Sequence, residues 1–461
     1  MPKIGRLSRL MRDNSPQSVV KTSLLVFCAS LAALTLLAWG ISFICARFLH
    51  LGYPFNTPLH DPAWRFSDLS ENYHMIRNLS AGGGILKSLP PGGMFNYPAP
   101  ALYVMAFFID LFPSPVAALL SFDVGAVLVA LLVLLKAALK GTAVSARWIV
   151  CTLLFTALCS YPFAFLIDRA NLEGVVWFFT FIGLAFFVGK RYMTSALFFA
   201  AAICVKPFPA LFILLFLRRR RYREIAVATV AIVAANLLAM AALGPTIAIA
   251  YRDLQWGVRE YVKVVVTSYP IQEMGFDHSF FSCVKDVIRL SLGWPRIDTL
   301  HGVFTTAYLI WLPLSLLIVV ACGVFFWRKP VLNQLFAIVL MMLLIPPCSY
   351  DYVLTHLYLP WGVFVIFLVR DVARGRVKFS LGNCLWILIP CAVLMTPQTY
   401  LTLTWEGFAG QLKAVAEIVL LFVVAHIDMP ASLFGELPPD GSDGQSERLA
   451  TKQTNLSATA R

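Results

Sequence analysis

Long apolar runs punctuated by clusters of basic residues constrain this chain more than any other feature. The runs fall at roughly 22–45, 115–138, 148–167, 174–189, 192–206, 208–217, 225–243, 302–326, 331–347, 353–370, 381–397 and 412–427. About 20 consecutive apolar residues are needed to cross ~30 Å of hydrocarbon as a helix. With 59% hydrophobic and only 13% charged residues, against about a quarter charged in soluble domains, the chain of 461 residues reads as an all-α integral membrane protein. The expectation is a polytopic helical bundle of about twelve spans, within a range of 10–13, whose outer loops carry interfacial helices.

The net charge of +13 invites a nucleic-acid reading, but its distribution argues against one. Arg218–Arg221 with Arg223, Arg328 with Lys329, and Arg374 with Arg376 each follow an apolar run. That is the positive-inside pattern of cytoplasmic loops, so the basic balance reports topology. The segment 99–112 has about fourteen apolar residues and is read as interfacial or re-entrant. Both termini then lie in the cytoplasm: 1–21 as a short N-terminus, 22–429 as the membrane domain, and 430–461 as a disordered tail rich in Gly, Ser, Pro and Asp. The first apolar run lacks a small-residue cleavage site and is expected to stay as a helix. The ten cysteines contain no CxxC pair, which leaves no zinc or redox signature, and no metal-ligand spacing stands out.

This topology gathers the unusual polar clusters on one face. The first outer loop, 46–114, holds Asp61 and Asp68. Leu69, Tyr73, Ile76 and Leu79 form an apolar stripe there, predicting a short surface helix that Gly82, Gly83 and Gly84 end. On the same side lie Asp168-Arg169-Ala170-Asn171-Leu172-Glu173, Lys206-Pro207, and Ser349-Tyr350-Asp351-Tyr352. A second outer loop, 246–300, carries Gly275-Phe276-Asp277-His278-Ser279 together with Trp256, Tyr261 and Tyr269, a candidate acceptor-side wall. Charges at a membrane boundary are costly, and several converging from separate helices suggest a site.

Five elements carry a family resemblance: Asp68 followed by Asn96-Tyr97-Pro98-Ala99-Pro100; LIDRANLEGVVWFF, with Ala170 where glycine is common; Val205-Lys206-Pro207-Phe208-Pro209 with its arginine stop; GFDHSFFSCVKDVIRL; and IPPCSYDYVLTHLYLP. In this order they resemble the glycosyltransferases of family 87, membrane enzymes of the GT-C class that use polyprenyl-phosphate sugars, over most of the chain to about residue 370. The resemblance implies a GT-C-like bundle in a bacterial inner membrane with an extracytoplasmic active site. It implies transfer of a single sugar, a hexose such as mannose, from a polyprenyl-phosphate carrier to a hydroxyl of a lipid or glycan acceptor, with inversion. With no metal-ligand spacing and with cations available for the phosphate, no metal or other cofactor is expected. The bilayer, the donor and the acceptor are the implied partners, with no nucleic acid. Tyr352 stands where relatives have histidine, and His356, one turn on, is the candidate substitute.

Such chemistry needs a carboxylate to take the acceptor proton and cations beside the leaving phosphate. Asp68 is the candidate base, with a helix cap as its plain alternative and Asp61 as runner-up. Lys206, Arg169 and His278 are the candidate phosphate partners, unless they are interface charges reaching into the headgroup region. Asn171, Glu173, Tyr97, Asp351 and His356 are the candidate substrate-binding residues, each with a structural role as its alternative. A rival class, a lipid-linked glycan transporter or flippase, places its charges near the midplane of two related halves. A polymerase or ligase of lipid-linked glycans shares the architecture and differs in the number of sugars moved.

Overall fold

The structure is a computed structural model that describes residues 15–53, 55–80, 95–268, 275–292, 300–397 and 409–437, apart from the side chains of 71, 73, 74, 77–80 and 409–410. Gly82–Gly84, Tyr269, the first fourteen residues, the tail beyond Leu437 and the side chains of Tyr73 and Leu79 lie outside that description. The protein is about 78% helical without strands among the described residues, an all-α polytopic membrane protein. Its one isolated antiparallel bridge there joins Asp277 to Tyr350.

Among the described residues six helical segments are long and apolar enough to cross a bilayer: Pro16–Arg47, Pro115–Leu139, Ala146–Arg169, Tyr222–Leu243, His301–Phe326 and Asp351–Val372. Five further expected spans are met by shorter apolar helices: Glu173–Val188, Tyr192–Val205, Phe208–Arg218, Val331–Leu344 and Leu381–Leu394. The twelfth falls on Ala409–His426. Ala99–Leu111 has 13 residues. At 1.5 Å per residue it is about 20 Å long, too short to cross alone.

Burial sorts these helices into layers. The most apolar stretch of Asp351–Val372 is 94% buried and every residue of Val331–Leu344 is buried, so both are central. The most apolar stretches of Tyr222–Leu243 and His301–Phe326 are only 11% buried and make the lipid-facing wall. Lipid tails are as apolar as leucine, so close packing holds such a bundle together. Aromatic rings supply much of it, with Phe199 stacked on Phe212 at 4.9 Å and Phe27 tilted on Trp361 at 5.4 Å.

Two spans are composite. The expected 148–167 helix breaks between Cys159 and Tyr161, where Ser160 is extended and Pro162 starts the next helix. Proline is suited to a first helical turn and unsuited to a helix interior. The 353–370 span begins as a 3₁₀ segment, Asp351–Leu357, before the α-helix Tyr358–Phe367. Both irregular stretches lie toward the same end of the bundle, since Tyr161–Arg169 packs on Asp351–Leu357.

At the other end the chain stays packed past Pro430, where a disordered tail was expected to begin. Glu436 Oε1 accepts from Val331 N at 2.8 Å, Oε2 accepts from Ala431 N at 3.1 Å, and Arg219 Nη2 donates to Phe434 O at 3.2 Å. The first of these bonds occupies a free N–H at the start of Val331–Leu344, and Phe434 is buried.

Candidate active site

The helix carrying Asp68, Ser67–Ser80, is anchored from its start. Phe66 N donates to Asp168 O at 2.8 Å, and Arg65 Nε donates to Asp168 Oδ1 at 3.2 Å. Phe66 takes a positive φ of 61°, which swings the chain into the helix one residue later. Leu69 and Ile76 of the expected stripe are buried, so this face is packed down. Asp68 lies within the first turn, where a carboxylate also suits the positive end of the helix dipole.

Its partners come from one tight turn. Ala170 sits in the left-handed region, at φ 49° and ψ 51°, between the helices Tyr161–Arg169 and Glu173–Val188. That bend lets residues on both sides of it reach Asp68: Arg169 Nη2 donates to Oδ1, and Asn171 Nδ2 donates to Oδ2 at 2.5 Å. Only glycine takes this left-handed geometry without a Cβ penalty, so Ala170 holds it at a cost.

From Asn171 the contacts run on into the bundle. Its Oδ1 accepts from Glu173 N at 2.9 Å and from Lys206 Nζ at 2.8 Å. Lys206 Nζ also donates to Glu173 Oε2 at 2.7 Å, and His356 Nε2 lies 2.6 Å from Glu173 Oε1, in position to donate. Lys206 ends the Tyr192–Val205 helix in an extended conformation before Pro207. Its ammonium lies 4.9 Å from the Tyr352 ring and 5.4 Å from the Tyr97 ring, within cation–π range. Asp68, Arg169, Asn171, Lys206, Glu173 and His356 are therefore one connected set drawn from four separate segments. Asn171, Glu173 and His356 are at most 1% exposed, and the two cations balance the two carboxylates.

Two clefts border this set. One, of about 270 Å³, is lined by Tyr97, Lys206, Tyr261 and Tyr308 and by the apolar Val258 and Val262. A smaller one holds Arg169, His60, Phe165 and Phe276. Tyr350 and Tyr352 line both and form the wall between them. Burial, and then the nearby Arg169 guanidinium, push the His60 pKa down to about 4, so its imidazole is neutral near pH 7.

Two predicted residues join a different set. His278 Nδ1 lies 2.9 Å from Glu417 Oε1, and Asp351 Oδ2 accepts from Lys413 Nζ at 2.6 Å, with all four side chains at most 1% exposed. Burial works against charge on His278, but the Glu417 carboxylate outweighs it and raises the pKa. Asp277 Oδ1 accepts from Ser279 N and Ser349 N at 3.0 and 2.9 Å, tying the second outer loop to the chain just before the 3₁₀ segment. Asp61 Oδ1 accepts from Ala63 N at 2.9 Å and caps the turn Pro62–Trp64. Tyr261 lines the cleft of Lys206, whereas Trp256 is exposed.

Lys413 and Glu417 escaped the sequence reading, which took 412–427 only as a span. The signal was present: two charges four residues apart within an apolar run, which membrane helices keep for function or pairing.

The family model of glycosyltransferase family 87 matches residues 95–347, more than half of the chain, and the protein belongs to that family of membrane glycosyltransferases. The match holds Tyr97, Arg169, Asn171, Glu173, Lys206 and His278 and stops short of Asp68 on one side and of Asp351 and His356 on the other. It is thus narrower than the stretch over which the motifs were read. No curated protein matches the chain.

Proposed function

We propose that this glycosyltransferase moves a single sugar, a hexose such as mannose, from a polyprenyl-phosphate carrier to a hydroxyl of a lipid or glycan acceptor. The site would face outward from a bacterial plasma membrane, with both termini in the cytoplasm. The observation that carries this reading is the connected set in which one carboxylate, Asp68, shares Asn171 with the cation Lys206 at the mouth of a cleft. Asp68 takes the acceptor's hydroxyl proton as the acceptor oxygen bonds to the anomeric carbon. The bond from that carbon to the phosphate oxygen breaks at the opposite face, which inverts the configuration. The charge growing on the phosphate is met by Lys206 and Arg169. The Lys206 cleft suits the donor, because its wall of Val258, Val262 and Tyr308 offers an apolar path for a prenyl chain.

The test is transfer by purified, reconstituted protein given labelled polyprenyl-phosphate mannose and a lipid-glycan extract. Asp68→Asn should lower the rate about 10²–10⁴-fold, the usual worth of a positioned acid or base, while staying folded and still binding donor. Undiminished transfer by Asp68→Asn would remove the base assignment. Transfer from a nucleotide sugar, and from no polyprenyl donor, would remove the donor.

A further inference from the structure

A third cavity, larger than either cleft, opens away from this site. It is a groove of about 650 Å³ between the helices Phe208–Arg218, His301–Phe326 and Val331–Leu344, within the range of about 300–1,000 Å³ that ligand pockets span. Tyr308 borders the Lys206 cleft and Phe326 borders this groove. They stand on one helix, eighteen residues and so about 27 Å apart along its axis. The groove therefore serves the opposite end of the bundle and is not an extension of the donor cleft.

Its floor is apolar, with Val320, Val324, Ile338 and Met341 among its lining. One end is different, for Arg218, Arg328 and Trp327 stand together there. Arg328 is exposed and makes no ion pair among the described residues. Arg218 is half-buried, and its Nη1 lies 3.9 Å from Glu436 Oε1 without a hydrogen-bond partner. Two guanidiniums against one distant carboxylate leave positive charge at the end of an apolar trough. A tryptophan beside it marks headgroup depth. The outer wall is the His301–Phe326 helix, which faces lipid, so the trough is open to molecules already in the bilayer.

We infer that this groove binds an anionic phospholipid, with its phosphate on Arg218 and Arg328 and an acyl chain along Val320, Val324 and Ile338. Charge complementarity selects this occupant. A zwitterionic lipid fits the trough equally well but brings no net charge to the two arginines, and basic side chains near a membrane surface favour anionic lipid about five-fold each.

The experiment uses the purified full-length protein, stripped of lipid in detergent and titrated with dioleoyl phosphatidylglycerol or dioleoyl phosphatidylcholine. Bound lipid is read by native mass spectrometry. The parent should hold one phosphatidylglycerol at least ten-fold more tightly than phosphatidylcholine. Arg328→Gln, which changes an exposed side chain, should weaken phosphatidylglycerol about five-fold, and Arg218→Gln with Arg328→Gln should bring the two lipids level. Gly323 lines the groove, and a Cβ built on it meets nothing within 4 Å. Gly323→Phe should fill the trough and abolish tight binding with both arginines in place. Equal binding of the two lipids by the parent overturns the proposal, as does unchanged phosphatidylglycerol binding by Arg328→Gln and Gly323→Phe. A lipid-free dimer in which the groove is covered by a second copy overturns it too.

Discussion

Glu173 and Lys206 meet at 2.7 Å where water barely reaches, the glutamate wholly buried and the lysine 8% exposed. Removing one partner of such a pair strands the other and costs about 3–5 kcal/mol. Glu173→Gln and Lys206→Met should each lose about that much in denaturant unfolding. The double variant should recover part of it, giving a coupling energy in the double-mutant cycle. Transfer should stay lost in the double variant, because the phosphate then has no ammonium to meet. Simple additivity of the two losses would mean the pair contributes nothing.

Ala170 holds a left-handed conformation that costs an L-residue about 1–2 kcal/mol. Ala170→Gly removes that cost but adds chain entropy to the unfolded state, about 0.4–1 kcal/mol in the other direction. The net expectation is a gain of up to about 1 kcal/mol, read as a higher melting temperature, with transfer unchanged. A lower melting temperature would show that the Ala170 methyl packs better than its backbone strain costs.

Gly257 touches the backbone before Tyr97. A Cβ there would lie 2.7 Å from the Phe95 carbonyl oxygen, so Gly257→Ala has to push that strand of chain away. Overpacking of this kind costs about 1–3 kcal/mol. It should also displace Tyr97 from the Lys206 cleft and raise the KM for donor more than it lowers kcat. Gly302→Ala, where a Cβ meets nothing within 4 Å, is the matched control.

His60 makes the fold sensitive to acid. Its pKa falls from 6.5 to about 4 on folding, so the folded state binds a proton less readily than the unfolded chain. The stabilisation is complete above about pH 6.5 and is lost as pH falls through about 4, amounting to up to about 3 kcal/mol. His60→Asn should flatten the decline of stability between pH 6.5 and 4. An unchanged slope would assign that decline to other groups.

What the sequence revealed of the site follows from how far apart the partners lie in the chain. Arg169, Asn171 and Glu173 sit within five residues, and one turn at Ala170 suffices to aim them, so their motif could be read directly. The helical, membrane-embedded character was equally plain in the apolar runs. Pairings between distant segments were not. His278 was read as a phosphate partner because nothing local tells that Glu417 stands against it on a helix 139 residues later. Asp351 was given to substrate for the same reason, its lysine being 62 residues on. Helix length was hidden too, because an apolar run looks the same whether it crosses the bilayer or ends early against neighbours, as Tyr192–Val205 does after 14 residues.

The connected site also has an order in time. Lys206 follows Glu173 by 33 residues, whereas His356 follows it by 183. At about 5–20 residues per second, the lysine leaves the ribosome about 2–7 s after the glutamate and the histidine about 10–40 s after it. A lone carboxylate in hydrocarbon is costly, and the early lysine covers that interval while most of the bundle is still unmade. Lys206 is thus the first of these two partners the chain can offer Glu173, and Lys206→Met should lower the yield of inserted protein before any question of catalysis arises.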